Sequence, residues 1–171
     1  YLLQRQIPET YFSGIYYIED FNTWENNGNT FKEARIVLPL LSQSGKLYGY
    51  QGRSLDKNSK LRYITTILDK RYSKLYGLER INFDNTIYVT EGPFDSLFLS
   101  NGVAMCGADV TLDRDIYKDR VFVYDNEPRS SIINKKIDTA IDSGYNVVIW
   151  PQNVKQKDVN DMITHGMTEA N

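Results

Sequence analysis

The sequence predicts an α/β protein in which a largely parallel, doubly wound sheet follows a small mixed α+β basic subdomain. From Thr86 onward, short β-type runs alternate with helix-period stretches, as they do in successive βαβ units. Upstream, ARIVLPLLSQSGKLYGYQGRS reads as a β-hairpin. Charge divides along the same line: bases crowd the stretch from Lys46 to Arg80, and acids collect from Asp84 onward. The expected division is residues 1–84 for the basic subdomain and 85–171 for the parallel-sheet domain.

The 171 residues suffice for one substantial core with a smaller appendage, and 41% hydrophobic with 25% charged residues is an ordinary globular composition. No apolar run has the length to cross a bilayer, and no secretory signal opens the chain. With no initiator Met, a fragment is the expectation, so the missing signal carries little weight. Cys106 is the only cysteine and His165 the only histidine, which excludes a zinc knuckle, a disulfide framework or a Ser–His–Asp triad from within this chain. Cys106 reads as a buried thiol in a reducing compartment. A net charge of −2 argues against an obligate nucleic-acid binder, but Lys46, Arg53, Lys57, Lys60, Arg62, Lys70, Arg71, Lys74 and Arg80 face only Asp56, Asp69 and Glu79 in their stretch. A basic patch beside an acidic cluster can hold phosphates and metal ions together.

Taken in order, YLLQRQIPET predicts a short helix ending near Ile7-Pro8, because the residue before proline avoids the helical region. The aromatic stretch of Tyr11, Phe12, Tyr16, Tyr17, Phe21 and Trp24 is expected to pack on the main domain, and Glu25 to Asn29 to form a loop. Ile36–Leu41 and Leu47–Gln51 are the hairpin strands about Ser44-Gly45, with Arg35 and Arg53 brought to one end as a possible phosphate clamp. Leu61–Ile64 is a third β-type run. The α/β half then predicts strand Ile87–Val89, helix Phe94–Ser100, strand Val103–Met105 and a short helix around Leu112–Ile116. Strand Val121–Tyr124, helix Ser130–Asp142 ended by Gly144, strand Val147–Trp150 and a helix from Asp158 to Thr164 complete it.

Three strand ends in this half carry acids: Glu91 and Asp95, then Asp125 and Glu127, then Asp158 and Asp161. Parallel strands place all three groups along one sheet edge, where open α/β sheets bind their ligands. Carboxylates gathered there repel one another unless cations neutralise them, and their oxygens suit Mg²⁺ or Mn²⁺.

In that order, EGPFDSLFLSNGVA, YDNEP and KDVND resemble the successive signatures of a Toprim domain, the Rossmann-like fold of primases, type IA and II topoisomerases and some nucleases. The upstream RIVLPLLSQSGKLYGYQGRSLD, KLRYITT and KLYGLERI resemble the basic subdomain that precedes it in bacterial-type replicative primases, and YLLQRQIPET the opening of their RNA-polymerase core. The likeness covers about residues 1–165 and is strongest to the primases of T-even-like bacteriophages. It implies a primase catalytic core that makes short RNA primers on single-stranded DNA from NTPs. By the same resemblance Glu91, Asp125 and Glu127 are catalytic, with Glu91 the base or a metal-organising residue. Glu91, Asp95, Asp125, Glu127 and Asp158 would hold two or more Mg²⁺ or Mn²⁺ ions, with no zinc in this fragment. Arg35, Arg53, Arg62, Lys60 and Lys157 would meet template or triphosphate. A zinc-binding module outside the fragment and a replicative helicase are the implied protein partners, with no membrane, in the cytoplasm of a bacterial host if the chain is phage-encoded.

The sequence also departs from that pattern. Arg62-Tyr63-Ile64-Thr65 stands where lysine-tyrosine-leucine-asparagine is usual, and Gln51-Gly52-Arg53 replaces a glycine pair before arginine. Glu127 and Asn160 stand where aspartate and an acid are usual, and Asp161 either compensates or caps the last helix. Two other readings remain: a Toprim nuclease or topoisomerase fragment, or a Toprim domain that binds nucleic acid without chemistry. No tyrosine context marks a topoisomerase nucleophile, the nucleases lack the arginine hairpin, and the three core acids are all present.

Overall fold

A computed structural model describes residues 1–26, 28–29, 31–107 and 119–168. Numbered along the chain, the first sheet contains β1 (Tyr16–Ile18), β2 (Arg35–Leu41), β3 (Leu47–Ser54) and β4 (Tyr63–Ile67), in that spatial order and antiparallel throughout. β2 and β3 form the predicted hairpin, closed by Gly45 at φ 77° and by the Ser42 N–H bonding the Lys46 carbonyl. Both arginines lie inside strands, with Arg35 opposite Ser54 and Ile36 opposite Arg53.

The second sheet has the order β5 (Leu75–Tyr76), β7 (Gly102–Met105), β6 (Ile87–Thr90), β8 (Arg120–Val123), β9 (Asn146–Val147). Its last four strands are mutually parallel and β5 is an antiparallel edge, so the expected α/β class is the one observed. β5 precedes residue 84 in the chain yet pairs in this second sheet.

Helix α1 (Phe21–Glu25) falls in the aromatic stretch and is capped by Asp20. Helix α2 (Ser131–Asp142) starts on the Ser130 cap, and Gly144 follows it at φ 77°. Helix α3 (Val159–Thr164) starts on the Asp158 cap.

Four predicted elements differ, the first being the third β-type run, expected over Leu61–Ile64 and found as β4 over Tyr63–Ile67. The N-terminal helix is a 3-10 turn, Leu3–Arg5, closed by Gln6 in the left-handed region. The helix expected over 94–100 is a 3-10 turn, Asp95–Phe98. There the Ser96 hydroxyl donates to the Pro93 carbonyl, competing with helical bonding, and Ser96 O lies so close to β7 that a Cβ on Gly102 would be 2.4 Å from it. The strand expected over 147–150 ends at Val147 as the chain leaves the sheet, with the Trp150 indole anchored on the Tyr124 carbonyl. The helix expected around Leu112–Ile116 lies outside the described residues.

The two sheets share one core. Leu38, Leu40 and Tyr48 from the first share a buried cluster with Val89, Val103 and Phe122 from the second and with Phe94 from the turn after β6. Each such side chain contributes roughly 1.5–3 kcal/mol by leaving water, and the buried Tyr48 hydroxyl donates to the Leu75 carbonyl. On the far face of the first sheet the fully buried Phe21 packs against Gly52, where an added Cβ would sit 2.8 Å from the ring. Among the described residues no helix is long and apolar enough to cross a membrane.

Candidate active site

Strand β6 delivers Glu91 and Gly92 at its carboxyl end. Buried Thr90 holds this turn by donating to the Gly92 carbonyl. A Cβ on Gly92 would stand 2.5 Å from Asp95 Oδ2, so glycine is what lets Asp95 fold back over the strand tip. Beside it, β8 delivers Asp125, Asn126 and Glu127. The Asn126 side chain donates to the carbonyls of Val154 and Gln156 at 3.0 Å, stitching the 154–157 loop to this strand end. The stitch places Lys157 and Asp158 beside Asp125.

Glu91, Asp95, Asp125 and Asp158 therefore lie within electrostatic reach of one another. Burial, then the charges of Asp158 and Asp125, push the Asp95 carboxyl up to about 7, against the backbone N–H of Asn160 that it accepts at 2.9 Å. Burial and the Glu91 charge push Asp125 up to about 6, with Lys157 opposing. Two ammonium groups already stand on this excess negative charge. Lys136, from α2, reaches Glu91 Oε1 at 2.5 Å, and Lys157 bridges Glu127 at 2.8 Å and Asp125 at 3.5 Å. Oxygen donors whose negative charge is incompletely neutralised suit hard divalent cations. No three Asp, Glu, His or Cys side chains among the described residues are gathered so as to hold an ion by themselves. The donor set fits ions held by one or two carboxylates each, with other positions left to water and phosphate.

Asp158 is the N-cap of α3, and Asp161 answers it by accepting the Lys157 backbone N–H at 2.9 Å. Asn160 is buried and clasps the N-terminal segment: its Oδ1 accepts from Arg5 at 2.6 Å and its Nδ2 donates to the Arg5 carbonyl at 2.7 Å.

The basic residues divide by strand alternation. Arg35 faces Phe21 and is 1% exposed. Its five N–H groups go to Glu33 (two) and to the carbonyls of Gly52, Leu61 and Arg62. Burial would raise the Glu33 carboxyl, but bonds from Ser59, Ser54 and Arg35 outweigh it and hold it low. Arg53 is offset from Arg35 by one register position and so faces the other way. Its guanidinium stacks on Tyr63 at 4.6 Å, and Tyr63 in turn feels the Asp95 charge. Arg53 thus reaches the acid cluster's surroundings, whereas Arg35 does not. Arg62 and Lys60 are exposed, Arg62 contacting the Lys57 carbonyl at 3.4 Å. Lys157 sits on the acids themselves.

A cavity of about 340 Å³ opens between the sheets, lined by Gln51, Tyr63 and Thr65 on one side and Glu91, Pro93, Cys106 and Lys136 among those on the other. Burial pushes the Cys106 thiol up to about 12, leaving it inert. Sequence reasoning missed Lys136, Asn126, and the Arg5 clasp on Asn160. The helical spacing of α2 gave no hint of which lysine would face the strand tips.

No family model matches the chain. It is 37% identical over 171 residues to the DNA primase of Enterobacteria phage T4, covering 95% of this chain and 50% of that protein. It is 34% identical over 91 residues to the DNA primase of Clostridium acetobutylicum, covering 47% of this chain and 15% of that one. The chain thus spans half the length of the phage relative. Among solved structures, the E. coli primase catalytic core matches with a TM-score of 0.67 at 19% identity, over 96% of this chain and 67% of that one. A DnaG primase catalytic domain bound to single-stranded DNA gives 0.68 at 19% identity, over 99% and 67%. The primase fragment of the bacteriophage T7 primase-helicase gives 0.59 at 21% identity, over 80% and 60%. Along nearly its whole length this chain is a relative of the DNA primases, and its fold is that of their catalytic core.

Proposed function

We propose that this chain is the catalytic core of a DNA primase, joining ribonucleotides into short primers on single-stranded DNA by divalent-metal-dependent nucleotidyl transfer. The observation that carries the reading is the gathering of Glu91, Asp95, Asp125 and Asp158 within electrostatic reach of one another, with Glu91 lining a cavity whose opposite wall is Gln51, Tyr63 and Thr65 of the first sheet. Asp95, Asp125, Glu127 and Asp158, with Glu91, would hold two or more Mg²⁺ or Mn²⁺ ions. Bound there, such ions neutralise the transferring phosphoryl group and orient the attacking 3′-hydroxyl. Lys136 holds Glu91 by Oε1, leaving Oε2 to take the hydroxyl proton or to organise the site. Lys157 gives up its carboxylate partners to meet the triphosphate. Arg53, Arg62 and Lys60 guide the template, and Arg35 is a strut that supports them.

The division at 84/85 is proposed as a functional one, with template guidance before it and chemistry after it. A zinc-binding module and a replicative helicase, in a bacterial host's cytoplasm, complete the proposed setting.

The test incubates the protein with single-stranded DNA, labelled ribonucleotides and Mg²⁺ or Mn²⁺, with and without the isolated zinc module, beside Asp125→Asn. RNA oligomers that need metal and vanish in the variant are expected. Shortened DNA without RNA would indicate a nuclease instead. No product of either kind would indicate a binding domain.

A further inference from the structure

Gln51 on β3 stands directly opposite Thr65 on β4, and both line the cavity that holds Glu91. Gln51 is 4% exposed. One arm of its carboxamide lies 2.9 Å from Thr65 Oγ1 and 3.4 Å from the Cys106 carbonyl. The single Thr65 hydroxyl proton goes to that carbonyl at 2.7 Å, so Thr65 Oγ1 can only accept. Both neighbours of the arm are acceptors, which makes it the nitrogen and fixes the amide's orientation. The other arm, Oε1, is then left buried with no donor. It is the one buried side-chain oxygen so left among the described residues.

An unpaired buried acceptor is costly and calls for an explanation, and a ligand that supplies the donor is one. The cavity's other groups indicate which donor. The Glu91 carboxylate is a second acceptor, Lys136 is already engaged with it, and Tyr63, Pro93 and Met105 add ring and apolar surface. Two acceptors lining one cavity disfavour phosphate oxygens and favour hydroxyl groups. A ribose carries neighbouring hydroxyl donors on a compact ring.

Resting on the primase reading, we propose that Gln51 Oε1 accepts a hydrogen bond from the ribose 2′-hydroxyl of the incoming nucleotide, selecting ribonucleotides over 2′-deoxyribonucleotides. Thr65 and the Cys106 carbonyl position the amide for that contact.

The experiment is calorimetric titration of ATP, 2′-deoxyATP and 3′-deoxyATP, with Mg²⁺, into the full chain and into Gln51→Leu. The unaltered protein should bind ATP roughly tenfold more tightly than 2′-deoxyATP, the scale of leaving one buried acceptor unpaired. In Gln51→Leu the two should come within about twofold, by loss of ATP affinity, while the ratio of ATP to 3′-deoxyATP stays as it was. A 2′-deoxy preference unchanged in Gln51→Leu overturns this inference and leaves the primase reading standing. A change confined to the 3′-deoxy ratio overturns the 2′ assignment. No nucleotide binding by the unaltered chain overturns both readings. If Gln51→Leu fails to fold, Thr65→Val, which unpins the amide, reports the same ratio: a fall toward unity supports the contact and an unchanged ratio overturns it.

Discussion

At the scale of single residues, Gly92 shows how small the margins are. A methyl group there meets only the Asp95 carboxylate, the free end of a side chain, so Gly92→Ala should leave the fold intact and displace the carboxyl. Primer synthesis should fall about 100-fold, as expected of an ångström-scale misplacement, with an unchanged melting temperature as the control. The two hairpin arginines should part company under mutation. Arg35→Met strands the Glu33 carboxylate among buried groups and should cost about 3–5 kcal/mol in urea unfolding. Arg53→Ala should keep the fold while weakening single-stranded DNA binding and lowering its salt dependence by about one counterion. The sequence brought both arginines to one hairpin end. It could not tell them apart, because the difference is a one-residue register offset that turns one inward to Phe21 and the other to Tyr63. Glu91 and Asp125 were legible for the opposite reason: each stands within two residues of the end of a β strand, and parallel strands leave their ends on one edge.

At the scale of elements, the same apolar spacing supports either helix type. Phe94, Leu97 and Phe98 recur at helical intervals, yet the segment winds as a 3-10 turn because Ser96 bonds back to Pro93 and the turn is pressed onto Gly102. The third acidic group depends on a tether the sequence does not advertise. Asn126 sits between two acids and reads as a spacer, while its amide is what holds the 154–157 loop. Asn126→Ala should therefore free Asp158 from Asp125. The expected outcome is faster amide exchange over residues 154–157 and a large loss of kcat, with global stability lowered by about 1 kcal/mol.

At the scale of the whole molecule, crowding of like charges sets the pH response. Asp95 and Asp125 are raised from the ordinary 3.8 to about 7 and about 6, so between about pH 4 and 7 the folded chain holds protons that the unfolded chain has released. Stability is greatest at the acid end of that window and falls as pH rises through it. In EDTA the melting temperature should drop from pH 5 to pH 8, and Asp95→Asn should flatten the drop. Added Mg²⁺ should restore stability at pH 8, where both carboxylates are ionised. Composition and alternation showed two sheets in the sequence. They did not show that both share one core through Tyr48 and Leu75, since that contact depends on how the sheets stack.

The clasp between Arg5 and Asn160 joins residues 155 positions apart, and Asn160 in turn supports Asp95. During synthesis the ribosome needs roughly 8–30 s to make the intervening stretch, at 5–20 residues per second. Until Asn160 emerges, the N-terminal turn has nothing to grip and Asp95 has lost its backbone donor. A nascent chain therefore carries its basic hairpin well before it carries a finished acidic site.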